Sequence, residues 1–276
     1  RDAFRRQQRP DGNDGGAWQL LGAPMQIAAA QETEQMNEAN KALDRIFSRY
    51  STAELRRMNV QFYDARINDV VSHHDVVSIL LNWGNAGGRQ RVVAGFDIDE
   101  STAQYLMDTY LTEQDYLFAK DVWEHLETYK AAAFELHKDL FGFTPEEVEA
   151  LPFQSKYGMM PGGYYPIKYD GEKSAQAEQH GIANMADPQV SSIRSKAKAG
   201  SNIARVARVK RALDTDMTRI IFGHVADVIH HTTHDRALYD VGRLLASERV
   251  KHAITDAYGA HIYKQLTAMV RNQKEV

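Results

Sequence analysis

Five side chains with acid–base and metal-ligating chemistry cluster towards the C-terminal end of the chain. They are His224, His230, His231, His234 and Asp235. If this segment is helical, His230 and His234 are four residues apart and share one face, as do His231 and Asp235. The same spacing places two imidazole ligands on one side of the helices that bind zinc. The sequence therefore offers a candidate metal site at His230, His234 and Asp235.

A structural role for these residues is the interpretation that we favour. The run Thr232–Asp235 is typical of a break between two helices, with Asp235 accepting backbone N–H bonds at the start of the next helix. Such a break would destroy the four-residue spacing of His230 and His234 on one helix face. Asp227 leaves a mixed histidine–aspartate pair open. We therefore expect structural histidines, no bound metal and no cofactor.

A basic stretch lies upstream of the histidines. It holds seven cations and no acid: Arg194, Lys196, Lys198, Arg205, Arg208, Lys210 and Arg211. This density of positive charge could follow a nucleic-acid backbone, with an affinity that depends on salt rather than on base sequence. The stretch contains no aromatic side chains for base stacking. A solvated helix face, or a surface that attracts an acidic partner, is the alternative interpretation.

A glycine pair followed by two tyrosines lies in the middle of the chain, at Gly162, Gly163, Tyr164 and Tyr165. The amides of a glycine pair can bind phosphate, but the Lys-Ser/Thr that follows the glycines in a P-loop is missing here. A second group of glycines fails the same test: Gly84, Gly87 and Gly88. We expect a turn whose tyrosines pack a chain crossover onto the helices.

Two groups of carboxylates could form acid–base pairs: Asp97, Asp99 and Glu100, and Glu146, Glu147 and Glu149. Both groups fall where helices are predicted to begin, and acids there complement the positive end of the helix dipole. We therefore interpret them as helix starts. The spacing of the residues identifies no Ser–His–Asp triad.

Composition indicates an ordinary globular domain and excludes several chemistries. The 276 residues contain no cysteine, which excludes disulfides, thiolate nucleophiles and cysteine-ligated zinc. Hydrophobic residues make up 43% and charged residues 25%, with a net charge of −4. No stretch reaches the roughly 18 apolar residues of a membrane span. Because the chain begins with Arg1, we expect a piece of a larger protein that opens with an arm or linker over 1–23.

Helical periodicity dominates the N-terminal helical region, residues 24–170. Capping residues and glycines predict helix boundaries there: starts at Pro24, Ser51, Asp99, Thr112 and Thr144, and stops at Trp83 and Gly142. The helix that starts at Ser51 is predicted to run unbroken to Trp83. The last part of this region, from Leu151 onwards, is rich in proline, glycine and tyrosine and is predicted to be extended or looped.

The remainder of the chain divides into a polar stretch over 171–200, predicted to be a mobile loop, and a C-terminal helical region over 201–276. Helical periodicity returns at about Leu213, and β-like runs are confined to Arg91–Ala94 and Tyr164–Tyr169. We predict an all-α fold. It would be a multi-helix bundle with a long Gly/Pro/Tyr-rich crossover loop, and the C-terminal region would pack on the first.

Two segments, Leu140–Asp170 and His224–Leu266, carry a resemblance to known proteins. Its motifs are G-x-x-P-x-x-V-x-x-x-P-F from Gly142, G-G-Y-Y-P from Gly162 and H-D-x-A-L from His234. They are similar to helical domains of very large phage and prophage polyvalent proteins, which include internal virion proteins that are ejected with the genome. The resemblance covers little more than the second half of the chain and implies no catalytic motif.

The resemblance implies a structural or interaction module of a large virion or ejected protein. Its partners would be other domains of the same polyprotein, other virion proteins or copies of itself, with no membrane span. It would be located in the virion and, after ejection, in the host cell, and otherwise in the cytoplasm.

Two alternative functions stay open. The segment from His224 to Asp235 is similar to the sites of HD-type metal phosphohydrolases, and His73, His74 and Asp75 could supply further ligands. The second, distant aspartate of that family has no recognisable counterpart here. The basic stretch would instead make the chain a module that contacts DNA without sequence preference.

Overall fold

Helices account for most of the structure, a computed structural model that describes residues 18–166 and 213–275. The predicted all-α class is confirmed, since strands are limited to two short hairpins within these residues. Three predictions lie outside the described residues: most of the N-terminal arm, the loop over 171–200, and the basic stretch from Arg194 to Arg211.

The N-terminal region is a series of helices. A short π-helix at Trp18–Gly22 comes first, so the end of the predicted arm is helical. The α-helices that follow are α1 (Ala23–Phe47), α2 (Thr52–Met58), α3 (His73–Trp83), α4 (Ala86–Phe96), α5 (Glu100–Tyr110), α6 (Glu113–Glu127) and α7 (Lys130–Phe141).

Capping residues begin and end helices where the sequence predicts. The Ser51 hydroxyl accepts the Glu54 amide at the start of α2, while the Glu54 carboxylate accepts the Ser51 amide. Asp99 accepts the Thr102 amide at the start of α5. Gly142 ends α7 with a φ of 81°, a conformation that glycine adopts without strain. These signals are local, so they predict helix boundaries without tertiary context.

The single helix predicted over 51–83 is wrong because a β-hairpin interrupts it. The hairpin pairs β1 (Gln61–Asp64) with β2 (Asp69–Ser72) in antiparallel register. The Asp64 side chain closes the turn by accepting two backbone amides, and Asn68 takes a φ of 53°. Asp and Asn are residues that favour turns in this way, and they end the helical periodicity here.

A second hairpin pairs β3 (Phe153–Ser155) with β4 (Gly158–Met160). Neither of the two β-like runs forms a strand within the described residues. Arg91–Ala94 lies within α4, whose capped first turn outweighs the β propensity of two valines, and Tyr164–Pro166 forms no strand. The helical turn predicted at Thr144 is wrong, since residues 144–146 are irregular and side chains of α7 bond to Phe143 and Glu147 in this segment.

The C-terminal region consists of α8 (Met217–Leu245), α9 (Glu248–Tyr258) and α10 (Ala260–Glu275). The first half of α8 enters the main core, which it shares with α1, α3 and α6. α8 packs more extensively along α1 than along any other described element. Within residues 18–166 and 213–275, no helix has both the length and the apolar character that a bilayer crossing requires.

Candidate functional site

His224, His230, His231 and His234 lie on one continuous helix, so the break predicted at Thr232–Asp235 is wrong. α8 passes through all four residues without interruption. Thr232 and Thr233 lie inside this helix, where their hydroxyls donate to backbone carbonyls four residues earlier, at 2.9 and 2.7 Å, instead of capping a helix start. The continuous helix keeps His230 and His234 one turn apart on one face.

A carboxylate from α1 joins two of these histidines. His230 Nδ1 lies 2.8 Å from Oε1 of Glu32, and His234 Nε2 lies 3.8 Å from Oε2. The two imidazole rings stack, with centroids 4.4 Å apart and planes 17° from parallel. One ligand atom from each residue lies within 4.8 Å of the other two, so the group could hold a metal ion. We refer to Glu32, His230 and His234 as the α1–α8 cluster.

Burial differs among the side chains of the α1–α8 cluster. His234 is 6% exposed, whereas His230 and Glu32 keep 29% and 31% of their side-chain surface in solvent. Burial lowers the pKa of His234 below that of a free imidazole, and His230 lowers it further, while Glu32 opposes the shift. His234 is therefore neutral at pH 7, with a lone pair on one ring nitrogen.

Asp235 does not join the α1–α8 cluster. Its Oδ2 lies 2.5 Å from Nδ1 of His231, four residues earlier on the same helix. The capping role predicted for Asp235 is wrong, because Asp235 lies in the interior of α8 and not at the start of a helix. The carboxylate beside His230 and His234 is thus Glu32 rather than the neighbouring aspartate.

The further ligands suggested by the sequence serve other parts of the fold. His224 packs against Tyr164, with ring centroids 5.6 Å apart. Asp75 forms a capping box with Ser72 at the start of α3. His73 bonds to a carboxylate of α6, so the 73–75 segment does not extend the α1–α8 cluster.

Asp115, the α6 residue to which His73 bonds, is the centre of a buried polar network. Its Oδ1 accepts from the Tyr50 hydroxyl at 2.7 Å and from His73 Nε2 at 3.0 Å. Its Oδ2 accepts from the amide and hydroxyl of Thr112, at 2.7 and 2.8 Å. Burial acts to raise the pKa of Asp115, but the bonds from His73 and Thr112 outweigh it and hold the pKa below its usual range. Four donors satisfy both oxygens, which suits a structural carboxylate better than a catalytic base.

Two cavities lie beside these polar groups. One of about 300 Å³ is lined by Tyr50, His73 and Asp115, and one of about 450 Å³ lies between α1, α6, α7 and α8. The larger is lined by His125 and Tyr129 among others, and burial lowers the pKa of His125. The α1–α8 cluster lines neither of these cavities, so they do not give it a substrate cleft.

The Gly162–Tyr165 segment packs the chain against the helices. The Gly163 amide donates to the Gly84 carbonyl at 2.8 Å, and its Cα lies so close to Trp123 that a Cβ would stand 2.5 Å from the Cβ of that residue. Tyr164 and Tyr165 are buried in the main core. These contacts favour the structural role expected of Gly162, Gly163, Tyr164 and Tyr165, because the Gly163 amide that a phosphate would need is bonded to the Gly84 carbonyl.

The first acidic group lies at helix ends, whereas the second lies in the irregular segment after α7, so the helix start expected at Glu146–Glu149 is wrong. Asp99 caps α5, and Asp97 follows the last turn of α4 with a φ of 53°. Glu147 pairs with Lys130 at the start of α7. These positions favour structural roles over the acid–base pairs that the sequence left open.

A second apolar cluster, the C-terminal apolar cluster, forms where α9 and α10 meet the last turns of α8. Among the described residues, its buried members are Leu21, Val241, Leu245 and Ile254. Further apolar side chains of the cluster are only partly buried: Leu244, Val250, Tyr258, Ile262, Tyr263, Leu266 and Val270. Leu20 and Met269, next in sequence to Leu21 and Val270, are 57% and 59% exposed.

Sequence reasoning missed two of these features. Glu32 carries no local signal, because its partner His230 is 198 residues away along the chain. Asp115 is visible in the sequence as the third residue after the Thr112 cap, but its bonds to Tyr50 and His73 depend on packing between helices.

Comparison with protein-family models, curated proteins and solved structures gives no match to this chain.

Proposed function

We propose that this chain is a structural and interaction module of a large phage-type virion or ejected protein, and that copies of it assemble through the C-terminal apolar cluster. Other virion proteins are the second class of partner. The observation that carries the proposal is the incomplete burial of that cluster. Seven of its described apolar side chains stay partly exposed, against four that are buried.

An apolar cluster of this kind gains free energy when a partner covers it. Removing apolar surface from water contributes about 25 cal/mol per Å². A contiguous apolar patch on the surface is typical of interaction sites. Leu20 and Met269 are exposed apolar side chains next in sequence to two members of the cluster, Leu21 and Val270. A second copy of the chain would offer the same apolar side chains in return, as symmetric dimers do.

Two further observations support an interaction module over an enzyme. Leu140–Asp170 and His224–Leu266 resemble helical domains of phage polyvalent proteins. The buried Asp115 is satisfied by donors on both oxygens, which leaves it engaged in the fold. A module of this kind would be carried in the virion and would enter the host cell on ejection.

Sedimentation equilibrium over a range of protein concentrations tests the assembly. We expect the wild-type chain to associate reversibly and Met269→Asp to remain monomeric, because burying a carboxylate in an apolar contact costs several kcal/mol. Met159→Asp is the matched control, because Met159 is 67% exposed on β4, outside the C-terminal apolar cluster. A wild-type chain that stays monomeric, or equal weakening by both substitutions, would contradict assembly through this cluster.

A further inference from the structure

We propose that the α1–α8 cluster of Glu32, His230 and His234 binds one divalent transition-metal ion of the Zn²⁺ type. This inference is independent of assembly through the C-terminal apolar cluster, which involves other residues. It also reverses the expectation that the histidines hold no metal, because the helix break on which that expectation depended does not exist.

The three side chains are a ligand set that such an ion takes. Zn²⁺ in proteins binds imidazole nitrogen and carboxylate oxygen, and two histidines with one glutamate leave a fourth position for water. Mg²⁺ and Ca²⁺ prefer sites made of oxygen ligands alone. Two imidazoles on one face of a helix therefore select for a transition-metal ion.

The separations of the ligand atoms suit a tetrahedral ion. Nitrogen and oxygen ligands at roughly 2.0–2.2 Å from such an ion lie about 3.3–3.6 Å from each other. Glu32 Oε1 lies 2.8 Å from His230 Nδ1 and Glu32 Oε2 lies 3.8 Å from His234 Nε2, and one ligand atom of each residue lies within 4.8 Å of the other two.

The Thr233 hydroxyl orients His234 for this role. It donates to the Ile229 carbonyl at 2.7 Å, so its oxygen accepts the proton of His234 Nδ1 at 3.0 Å. The lone pair of His234 is thereby placed on Nε2, the atom that faces Glu32. A cation placed between Nε2 and the carboxylate would be bound by both. A hydrogen bond to the second ring nitrogen is also how proteins orient metal-ligating histidines.

Rigid elements hold the ligands in place. His230 and His234 lie in the interior of the 29-residue α8, and Glu32 lies on α1, the helix along which α8 packs most extensively. Glu32 and His230 are partly exposed, which leaves a route for an ion and a bound water. A bound ion would link two helices that are far apart in sequence, so binding is expected to stabilise the fold.

Titration of zinc into tag-free protein, first stripped with a chelator, tests the site. Calorimetry should detect one ion per chain. The thermal unfolding midpoint should rise by about 5–10 °C at a free zinc concentration of 100 times the Kd. Co²⁺ should occupy the same site and give the visible absorption of an ion with nitrogen ligands, and excess zinc should remove that absorption.

Substitutions assign the ligands. Glu32→Gln and His234→Gln should each weaken zinc binding by more than about 100-fold, since even residues that only support ligands contribute about 10–100-fold. His231→Gln is the matched control, because His231 is buried on the same helix but pairs with Asp235. It should bind zinc as the wild type does. Far-ultraviolet circular dichroism checks that each variant keeps its helices.

Two results would overturn the proposal. The first is a wild-type chain that takes up no stoichiometric zinc or cobalt, a measurement that needs no variant to fold. The second is uptake that survives Glu32→Gln and His234→Gln but is lost in His252→Gln, because His252 is an exposed histidine of α9 and would mark adventitious surface binding.

Discussion

One buried carboxylate, Asp115, ties together three parts of the N-terminal region. Tyr50 follows α1, His73 begins α3 and Thr112 precedes α6, and all three donate to it. Hydrogen bonds to a charged group contribute about 1.5–3 kcal/mol each, so four of them offset the cost of burying the charge. Asp115 is therefore expected to stabilise the bundle only while it is ionised.

Asp115→Asn should lower the free energy of unfolding by about 2–4 kcal/mol at pH 7. The new amide group turns an N–H towards donors where the carboxylate accepted. Asp121→Asn is the matched control on the same helix, because Asp121 pairs with Arg49 near the surface and should contribute less than about 1 kcal/mol. Urea denaturation of both variants measures the difference, and equal losses would show that the buried network adds nothing.

The same variant has a defined pH dependence. Because the folded-state pKa of Asp115 is lowered, the stability it contributes is present above its unfolded pKa, roughly 3.9, and is lost as the pH falls through the folded value. The wild type should therefore lose stability faster than Asp115→Asn as the pH falls below about 4. Parallel curves for the two proteins would contradict an ionised Asp115.

The Gly162–Tyr165 segment and α6 lie so close together that position 163 has no room for a side chain. Gly84 and Gly163 are joined by a backbone hydrogen bond of 2.8 Å, and the indole of Trp123 lies directly over Gly163. The Trp123 Nε1 donates to the Leu81 carbonyl at 3.0 Å, which fixes the ring. The absence of a side chain at Gly163 is thus a packing requirement between two elements.

Gly163→Ala should destabilise the fold by about 1–3 kcal/mol, because the new Cβ would stand 2.5 Å from the Trp123 Cβ and force the segment away. Gly223→Ala is the matched control. Gly223 lies in α8 with nothing within 4 Å of an added Cβ, so alanine should stabilise that helix by up to about 1 kcal/mol. Thermal unfolding of the two variants should shift in opposite directions, and shifts of the same sign would contradict the packing argument.

Elements with local start and stop signals could be predicted from the sequence, and elements decided by longer-range contacts could not. The cap at Asp99 and the glycine at Gly142 act on their own turns, so these boundaries are correct. The β1–β2 hairpin was missed because its strands are four residues each and one closing residue, Asp64, is also held by distant tyrosines. The break at Thr232–Asp235 was predicted wrongly because Thr hydroxyls can bond within a helix as well as outside it.

Contacts between helices that are far apart in sequence hold the N-terminal and C-terminal regions together. The α1–α8 cluster joins residues 198 positions apart, so no spacing rule could have selected Glu32 from the other acids. Only its histidine half was visible in the sequence. The main core is likewise shared, since Ile220, Ile221 and Ile229 of α8 lie in one cluster with side chains of α3 and α6.

Cleavage of the chain between these two parts tests that shared core. A specific protease site placed within the polar stretch 171–200 should allow cutting without loss of association, because burying each large α8 side chain contributes about 1.5–3 kcal/mol. The two fragments should therefore elute together in gel filtration and separate only in denaturant.

Ile221→Ala should raise the dissociation constant of the two fragments by roughly 30-fold or more, since Ile221 is fully buried. Tyr239→Ala, at an exposed position of the same helix, should have little effect. Fragments that separate on cutting in native buffer would mean that α8 folds apart from the N-terminal helices, and Glu32 could then not meet His230 and His234 in solution.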